Sequence, residues 1–236
     1  MSLPRNLTLK INYVLDNLLP PIIRDSRYFV YIPFKLLFKD KAEIFLNFKN
    51  SASYMSEKRY VRFYEELDPY LIQRETSLNS SCIKDITSSV IGPKVLEVGC
   101  GKAYLAKKIA KKYSVTGADI LSDTSVSENG NKINFVNANV EHLPFKNKEF
   151  DTTICTHTLE HVQLFEQAVT ELRRVTKKRL ILVVPMQRPY KYTFDLHLRF
   201  FPFLESFLLS LKGIRSKPKK FFCKNSEGDI FYYEDR

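Results

Sequence analysis

Two carboxylates and a glycine turn near the middle of the chain have the spacing of a binding site for a small charged ligand. The segment KVLEVGCGKAYLAKKIA is typical of a strand, a turn and a helix, with Glu97 just before Gly99, Cys100 and Gly101. Glycines let the backbone of such a turn approach a ligand closely, and the helix N-terminus points at it. Because the Glu97 carboxylate would repel a dinucleotide pyrophosphate, the turn favours a zwitterionic or cationic ligand.

The second carboxylate, Asp119, ends a predicted strand in the run GADI and lies 20 residues after Gly99. An acidic residue about 20 positions beyond a glycine turn reaches the two hydroxyls of a ribose. Two later runs, NANVEHLPF and FDTTICTHTLEHV, place further polar side chains after predicted strands. The sequence therefore predicts a ligand that contains a ribose, bound where several strands end.

In this order and spacing, the four motifs over residues 94–184 resemble those of class I S-adenosylmethionine-dependent methyltransferases. The resemblance implies S-adenosyl-L-methionine as the cofactor, with Glu97 at its amino-acid end and Asp119 on its ribose. The residues implied to bind the cofactor are Glu97, Gly99, Cys100, Gly101, Asp119, Ile120, Asn139, Val140 and Thr156.

Two positions depart from the pattern of that family. Asn139 stands where an aspartate is usual, although an amide can still donate to and accept from the edge of an adenine. Ala103 stands where many relatives carry a third glycine, and alanine is expected to cost little there because it is the next smallest residue.

Histidines are the candidate bases, because a neutral hydroxyl acceptor is a poor nucleophile until it loses its proton. His157 leaves the fourth predicted strand at the edge where open α/β sheets bind ligands. His197 lies in the loop RPYKYTFDLH, two residues from Asp195, whose carboxylate would raise its basicity. An acidic residue, or no protein base at all, is the alternative. Glu160 and His161 are predicted to begin the next helix. The helix dipole would favour the Glu160 carboxylate there, with a catalytic role as the alternative, and His161 is expected to be structural.

Short β-rich runs alternate with helical runs after Gly92-Pro93, which is typical of a parallel sheet. The predicted fold is α/β and Rossmann-like: a doubly wound, seven-stranded, mainly parallel sheet with an antiparallel terminal hairpin, plus an N-terminal helical extension. Residues 1–93 are predicted to form that extension or cap, and residues 94–236 the cofactor-binding domain. The predicted strands cover 94–98, 113–119, 133–137, 150–156 and 179–184, followed by the hairpin of FFCKN and DIFYYED.

Helical spacing of apolar residues predicts helices in the extension, over 8–19, 31–48 and 56–74. Pro20-Pro21, Pro33 and Pro69 are expected to break them into short segments. The segments PPIIRDSRYFVYIPFKLLFK and FFPFLESFLLSLKGIRSKPKK place aromatic residues beside Lys and Arg, as interfacial elements do, although packing on a core explains each as well.

Charge and cysteine usage limit the surroundings of the protein. The net charge is +11, and residues 173–224 hold 14 Lys and Arg against Asp195 and Glu205. That excess is either a solvated face or a surface that attracts an anionic partner. Four scattered cysteines predict neither disulfides nor a metal site, and no run of about 20 apolar residues could span a bilayer. A cytoplasmic protein is expected, with peripheral contact at the inner face of the membrane as a further option.

Three functions are consistent with these features. The first is O-methylation of a glycan, a lipid-linked saccharide or another small molecule, with an anionic membrane surface as an additional partner. The second is RNA methylation, which the basic stretch favours; however, no amine-binding NPPY motif or RNA-binding module is present, so nucleic acid is the less expected partner. The third is a non-catalytic subunit that binds the cofactor and activates a partner enzyme.

Overall fold

The computed structural model describes residues 10–11, 13–15, 17–67, 75–121, 133–192, 194–215 and 217–236. The chain forms two compact units. The first comprises Met1–Ser77 with Arg188–Leu198, and the second comprises Leu78–Gln187 with Arg199–Arg236. The helix before Gly92-Pro93, the dipeptide predicted as the boundary, packs in the core of the second unit. The predicted loop that follows Leu121 lies outside the described residues.

The first unit is helical, as expected. Its helices are α1 (Pro21–Arg24), α2 (Arg27–Phe38), α3 (Ala42–Ala52) and α4 (Glu57–Leu67). Its core is largely aromatic, and the rings of Phe38 and Phe45 stack with centroids 3.7 Å apart. The predicted break at Pro33 is wrong, because α2 continues through this residue. Burial of Phe34 and Phe38 on one face outweighs the cost of a proline inside a helix, about 3 kcal/mol.

The second unit is built on a seven-stranded sheet, which confirms the predicted fold class. Its strands are β1 (Lys94–Val98), β2 (Ser114–Asp119), β3 (Ile133–Asn137), β4 (Phe150–Thr156), β5 (Thr176–Pro185), β6 (Lys220–Ser226) and β7 (Asp229–Asp235). Their order across the sheet is β3-β2-β1-β4-β5-β7-β6. Strands β1 to β5 are parallel, and β7 pairs antiparallel with both β5 and β6.

Helices flank this sheet and enclose two apolar clusters. They are α5 (Ser80–Ser89), α6 (Tyr104–Ile109), α7 (Phe165–Val175) and α8 (Leu204–Leu211). Cys82 and Ile86 of α5 pack in one cluster with Leu105 of α6, whereas Leu172 of α7 and Phe207 of α8 pack in the other. Among the described residues, no helix combines the length and the apolar character that crossing a membrane requires.

Candidate active site

The order in which successive strands are added reverses between β1 and β4, and this junction positions the site. From β1 the chain continues through β2 and β3 on one side, whereas β4 and β5 extend the sheet on the other. Val98 of β1 is in register with Cys155 of β4, so the segments that follow the two strands leave the sheet side by side. Such a junction at the carboxyl ends of parallel strands is where open α/β sheets bind ligands.

The glycine turn after β1 requires its glycines for two different reasons. Gly99 and Gly101 have φ angles of 73° and 46°, in the left-handed region that side chains disfavour. A Cβ atom at Gly99 would lie 1.9 Å from Oγ1 of Thr158, in the segment after β4. A Cβ atom at Gly101 would instead meet nothing within 4 Å, so the backbone faces open space there. The turn therefore packs against the protein at Gly99 and is accessible to a ligand at Gly101.

Asp119 lies at the end of β2 and is held in place by two backbone amides. Its Oδ2 atom accepts a hydrogen bond from the amide of Gly101 at 2.7 Å, and its Oδ1 atom accepts one from Leu121 at 2.9 Å. These bonds join the acidic side chain to the glycine turn and fix its orientation. Each carboxylate oxygen has more than one lone pair, so both can still accept from a diol.

Glu97 is buried in β1, with 3% of its surface exposed. Burial raises the pKa of this carboxyl to about 8, a backbone hydrogen bond from Ala106 opposes the shift, and the Asp119 charge adds to it. Its Oε2 atom has no hydrogen-bond partner among the described residues. A buried carboxyl oxygen without a donor is a site that an ammonium group would stabilise in the charged form.

Ala103 costs more than its small size suggested. Its φ angle is 59°, so the residue adopts the left-handed conformation, and its side chain is fully buried just before α6. Alanine pays about 1 to 2 kcal/mol in this conformation, which glycine would not. The expectation of a negligible cost is therefore wrong, and the reason lies in the backbone angle, which a comparison of side-chain volumes does not consider.

The other residues implied to bind cofactor fall into two groups. Ile120 and Asn139 lie in segments that follow β2 and β3, where the Ile120 carbonyl accepts from Asn137 and the Asn139 Oδ1 atom accepts from the Glu141 amide at 2.9 Å. Cys100, Val140 and Thr156 are buried. The Asn139 amide therefore closes its own turn through its oxygen, a local role that an aspartate could fill equally well.

His157 is placed between two carboxylates at the end of β4. Its Nδ1 atom lies 3.5 Å from Oε1 of Glu160, and its Nε2 atom lies 3.6 Å from Oδ1 of Asp229. Burial by itself would lower the pKa of this imidazole, but the two carboxylates outweigh it and raise the pKa to about 10. His157 is consequently an imidazolium at neutral pH, which makes it a poor general base.

Asp229 and Asn79 extend this ion cluster, and sequence reasoning missed both. The Asn79 Nδ2 atom donates to Oδ2 of Asp229 at 2.9 Å, while its Oδ1 atom caps α5 by accepting from the Cys82 amide at 2.7 Å. Asn79 had a usable signal, since asparagine is a preferred helix N-cap. Asp229 had none, because its partner His157 is distant in the sequence and is brought near by the pairing of β5 with both β4 and β7.

Glu160 and His161 do not begin a helix, contrary to the prediction. They lie in a turn, and α7 starts only at Phe165. Glu160 is fully buried, and its Oε1 atom lies 3.9 Å from Nε2 of His161 as well as near His157. Charge pairing, rather than the helix dipole, therefore accounts for the Glu160 carboxylate. His197, the other predicted base, belongs to the first unit within Arg188–Leu198.

Comparison with known proteins agrees with this architecture. Residues 96–184 match the model of a family described as a methyltransferase domain. A ubiquinone biosynthesis O-methyltransferase of Rickettsia canadensis is 33% identical over 98 residues, which cover 39% of this chain and 41% of that protein. The chain thus spans about two fifths of the length of this curated relative.

Solved structures share the fold at low sequence identity. A methyltransferase from Thermotoga maritima, titled a possible histamine N-methyltransferase, has a TM-score of 0.56 and 16% identity, with 75% of this chain and 96% of that chain covered. The 1,6-didemethyltoxoflavin-N1-methyltransferase of Burkholderia thailandensis, solved with S-adenosylhomocysteine, has a TM-score of 0.54 and 13% identity, with 67% and 79% covered.

The sheet order, the glycine turn and the family match define the class of this domain. Residues 96–184 match the model of a methyltransferase domain, and the fold is shared with S-adenosylmethionine-dependent methyltransferases. S-Adenosylmethionine is the cofactor of this class, and the residues present fit it on two observations. The buried Oε2 atom of Glu97 has no hydrogen-bond donor among the described residues, which suits an ammonium group. The backbone at Gly101 faces open space beside Asp119.

Proposed function

We propose that this protein is an S-adenosylmethionine-dependent methyltransferase that acts on an oxygen atom of a glycan, a lipid-linked saccharide or another small molecule. One observation carries the proposal: Glu97 and Asp119 flank a glycine turn whose backbone is open at Gly101. This arrangement suits a ligand with an ammonium group near one acid and a ribose diol near the other. S-Adenosylmethionine has both groups.

The cofactor, when bound, supplies a methyl group made electrophilic by its sulfonium sulfur. The chain contributes mainly orientation, which supplies about 7 to 11 kcal/mol of such a barrier when the reacting groups are held in line. Asp119 is fixed by the amides of Gly101 and Leu121, and Glu97 by its burial in β1. Two rigid anchor points are therefore available to fix the position of a long ligand.

A hydroxyl acceptor also needs a group that takes up its proton. His157 already carries a proton at neutral pH, since its pKa is about 10. We therefore assign His157 the role of a positively charged side chain that orients Glu160 and Asp229. His197 remains the proposed base. Transfer to oxygen, rather than to nitrogen or carbon, is supported by the name of the Rickettsia relative, which is an O-methyltransferase.

RNA methylation is a weaker proposal, because five of the 14 cations in the basic stretch over residues 173–224 have carboxylate partners. Five of its cations form ion pairs with carboxylates from outside the stretch, and one of these pairs, Arg173 with Glu234, is buried. The paired cations are Arg173, Arg174, Lys178, Arg179 and Lys224. Cations neutralised in this way add little to a field that attracts a polyanion.

The test is transfer of a radiolabelled methyl group from S-adenosylmethionine into cell material separated into lipid, glycan, RNA and protein. We expect label in the glycan or lipid fraction, and none when Asp119→Ala protein is used. Label in RNA or protein would overturn the assignment of the acceptor. Cofactor binding without label in any fraction would instead favour the non-catalytic subunit, and would overturn the enzymatic proposal.

A further inference from the structure

Helix α2 is apolar on two opposite faces, although only one of them packs in a core. Val30, Phe34 and Phe38 are buried on the inner face. On the outer face Tyr28, Ile32 and Leu36, spaced four residues apart, are 90%, 64% and 76% exposed. A surface helix of a water-soluble domain ordinarily presents polar residues on its outer side. The outer face of α2 therefore has the composition of a surface that is covered by something apolar.

Further apolar residues extend this face along the helix and beyond it. Phe29 and Tyr31 of α2 are 40% and 39% exposed, and Ile22 of α1 is 85% exposed. We call the outer set the α2 face; it consists of Ile22, Tyr28, Phe29, Tyr31, Ile32 and Leu36. Single exposed apolar residues are ordinary on protein surfaces, whereas a contiguous set marks a contact site.

The charges of α2 and the three residues after it are mostly positive, although Glu43 of α3 pairs with Arg27. Helix α2 contains no Asp or Glu, and Lys35 lies on the outer side between Ile32 and Leu36. Lys39 and Lys41 follow the helix directly, with Asp40 as the one carboxylate between them. Lysines reach outward from an apolar contact to place their ammonium groups in a polar layer. A partner with an apolar interior and an anionic rim would match this distribution.

We propose that the α2 face docks on an anionic lipid membrane, with Ile32 and Leu36 entering the acyl boundary and Lys35, Lys39 and Lys41 contacting lipid phosphates. Tyrosines beside these residues suit the headgroup layer, because their rings are apolar and their hydroxyls polar. A second copy of the chain is a poorer occupant. A symmetric contact through α2 would bring its lysines near their own copies, with no carboxylate on the helix to offset them.

This inference does not depend on the proposed activity, because it concerns binding and can be measured without cofactor or acceptor. A domain held on a membrane by a parallel helix would meet acceptors that are themselves embedded in the bilayer. The buried area is modest, so the association is expected to be reversible and to weaken as salt is added.

Vesicle flotation tests the proposal with the full chain, using vesicles of phosphatidylglycerol and phosphatidylcholine or of phosphatidylcholine alone. We expect flotation with the anionic vesicles, and a partition coefficient reduced at least about tenfold by the double substitution Ile32→Ser and Leu36→Ser. Lys35→Glu should reduce it by about tenfold as well. Leu164→Ser is the matched control, since this leucine is 51% exposed in the other unit and lies outside both apolar-basic segments.

A fluorescent reporter adds a second, independent readout. The chain contains no tryptophan, so Ile32→Trp provides a single probe on the α2 face. Its emission should shift to shorter wavelength with anionic vesicles and stay unchanged with phosphatidylcholine vesicles. Absence of flotation, or equal flotation of the double serine variant, would overturn the proposal. So would a lipid-free dimer of the wild type that the double serine variant abolishes, because the face would then be covered by a second copy.

Discussion

Within the proposed cofactor site, Glu97 has a pKa well above that of an ordinary exposed carboxylate. Burial favours its neutral form, and the nearby charge of Asp119 acts in the same direction. Because its pKa is about 8, most Glu97 side chains carry a proton at pH 7 in the free protein. An ammonium group placed beside Oε2 would favour the carboxylate instead. Binding of a zwitterionic ligand should therefore release a proton from this residue.

The first prediction measures that proton. Calorimetric titration with S-adenosylhomocysteine at pH 7, in two buffers of different ionisation enthalpy, should show release of up to about one proton per ligand bound. Glu97→Gln has no carboxyl proton to release, so its binding heat should be the same in both buffers. A wild-type heat that does not depend on the buffer would show that Glu97 does not ionise when the ligand binds.

The second prediction concerns the base. His197→Ala should leave the affinity for S-adenosylhomocysteine unchanged and lower turnover by about 100-fold to 10,000-fold, because a hydroxyl acceptor then lacks its proton acceptor. His157→Ala is the matched control. It should lower the free energy of unfolding and leave the shape of the pH profile of turnover unchanged. Near-normal turnover with a flat pH profile in His197→Ala would indicate an acceptor that is already nucleophilic, such as an amine or a thiol.

At the scale of elements, an ion cluster joins β4 to the terminal hairpin. His157 follows β4, Asp229 opens β7, and Asn79 caps α5 while donating to the same aspartate. The imidazolium is stabilised in the folded state, where its pKa is about 10 against an ordinary value of 6.5. Stability from this cation is therefore fully present below about pH 6.5 and is lost as the pH rises through about 10.

The third prediction follows from that sign. Urea unfolding between pH 6 and pH 10 should show wild type more stable than His157→Gln at the acidic end, with the difference shrinking steadily as the pH rises. Comparing the two proteins cancels other groups that titrate in this range, such as Lys49, whose pKa is lowered to about 8 by burial. A difference that stays constant with pH would mean that His157 gains no charge stabilisation on folding.

Sequence patterns predicted the elements well where local signals decide them. The β-rich runs placed β1, β3 and β4 at their observed bounds, because β-branched and aromatic residues favour strands. Helix starts were less accurate: α7 begins at Phe165 rather than near residue 160. The missing signal is tertiary, since the Glu160 side chain is buried within 4 Å of His157 and His161.

At the scale of the whole molecule, a count of charges along the sequence gave an incomplete description of the surface. The excess over residues 173–224 is partly neutralised by distant acids, as in the buried pair of Arg173 and Glu234 at 2.7 Å. A local count cannot include these acids, because the sheet pairs strands that lie far apart in sequence. The lysines near α2 are fewer, but they surround exposed apolar side chains. The position of lysines beside exposed apolar side chains therefore supports the proposed membrane contact better than the net charge of a sequence segment does.

The glycine turn and the two acids were predictable from sequence, whereas their electrostatics were not. The residue types and the 20-residue spacing to Asp119 are local features. The lack of a hydrogen-bond partner at Oε2 of Glu97 and the clash distance at Gly99 depend on how β1, α6 and the segment after β4 pack together. The fold thus positions a recognisable motif and also raises the pKa of Glu97 through burial.

The central claim is that S-adenosylmethionine binds at the ends of β1 and β2, with Asp119 on its ribose. Calorimetry with S-adenosylhomocysteine tests it most directly. Asp119→Ala should weaken binding by about 2 to 4 kcal/mol, because two charge-assisted hydrogen bonds are lost. Asp235→Ala is the matched control, since this carboxylate ends β7 and pairs with Arg179 near the opposite edge of the sheet. An unchanged dissociation constant in folded Asp119→Ala protein would contradict the claim and place the ribose elsewhere.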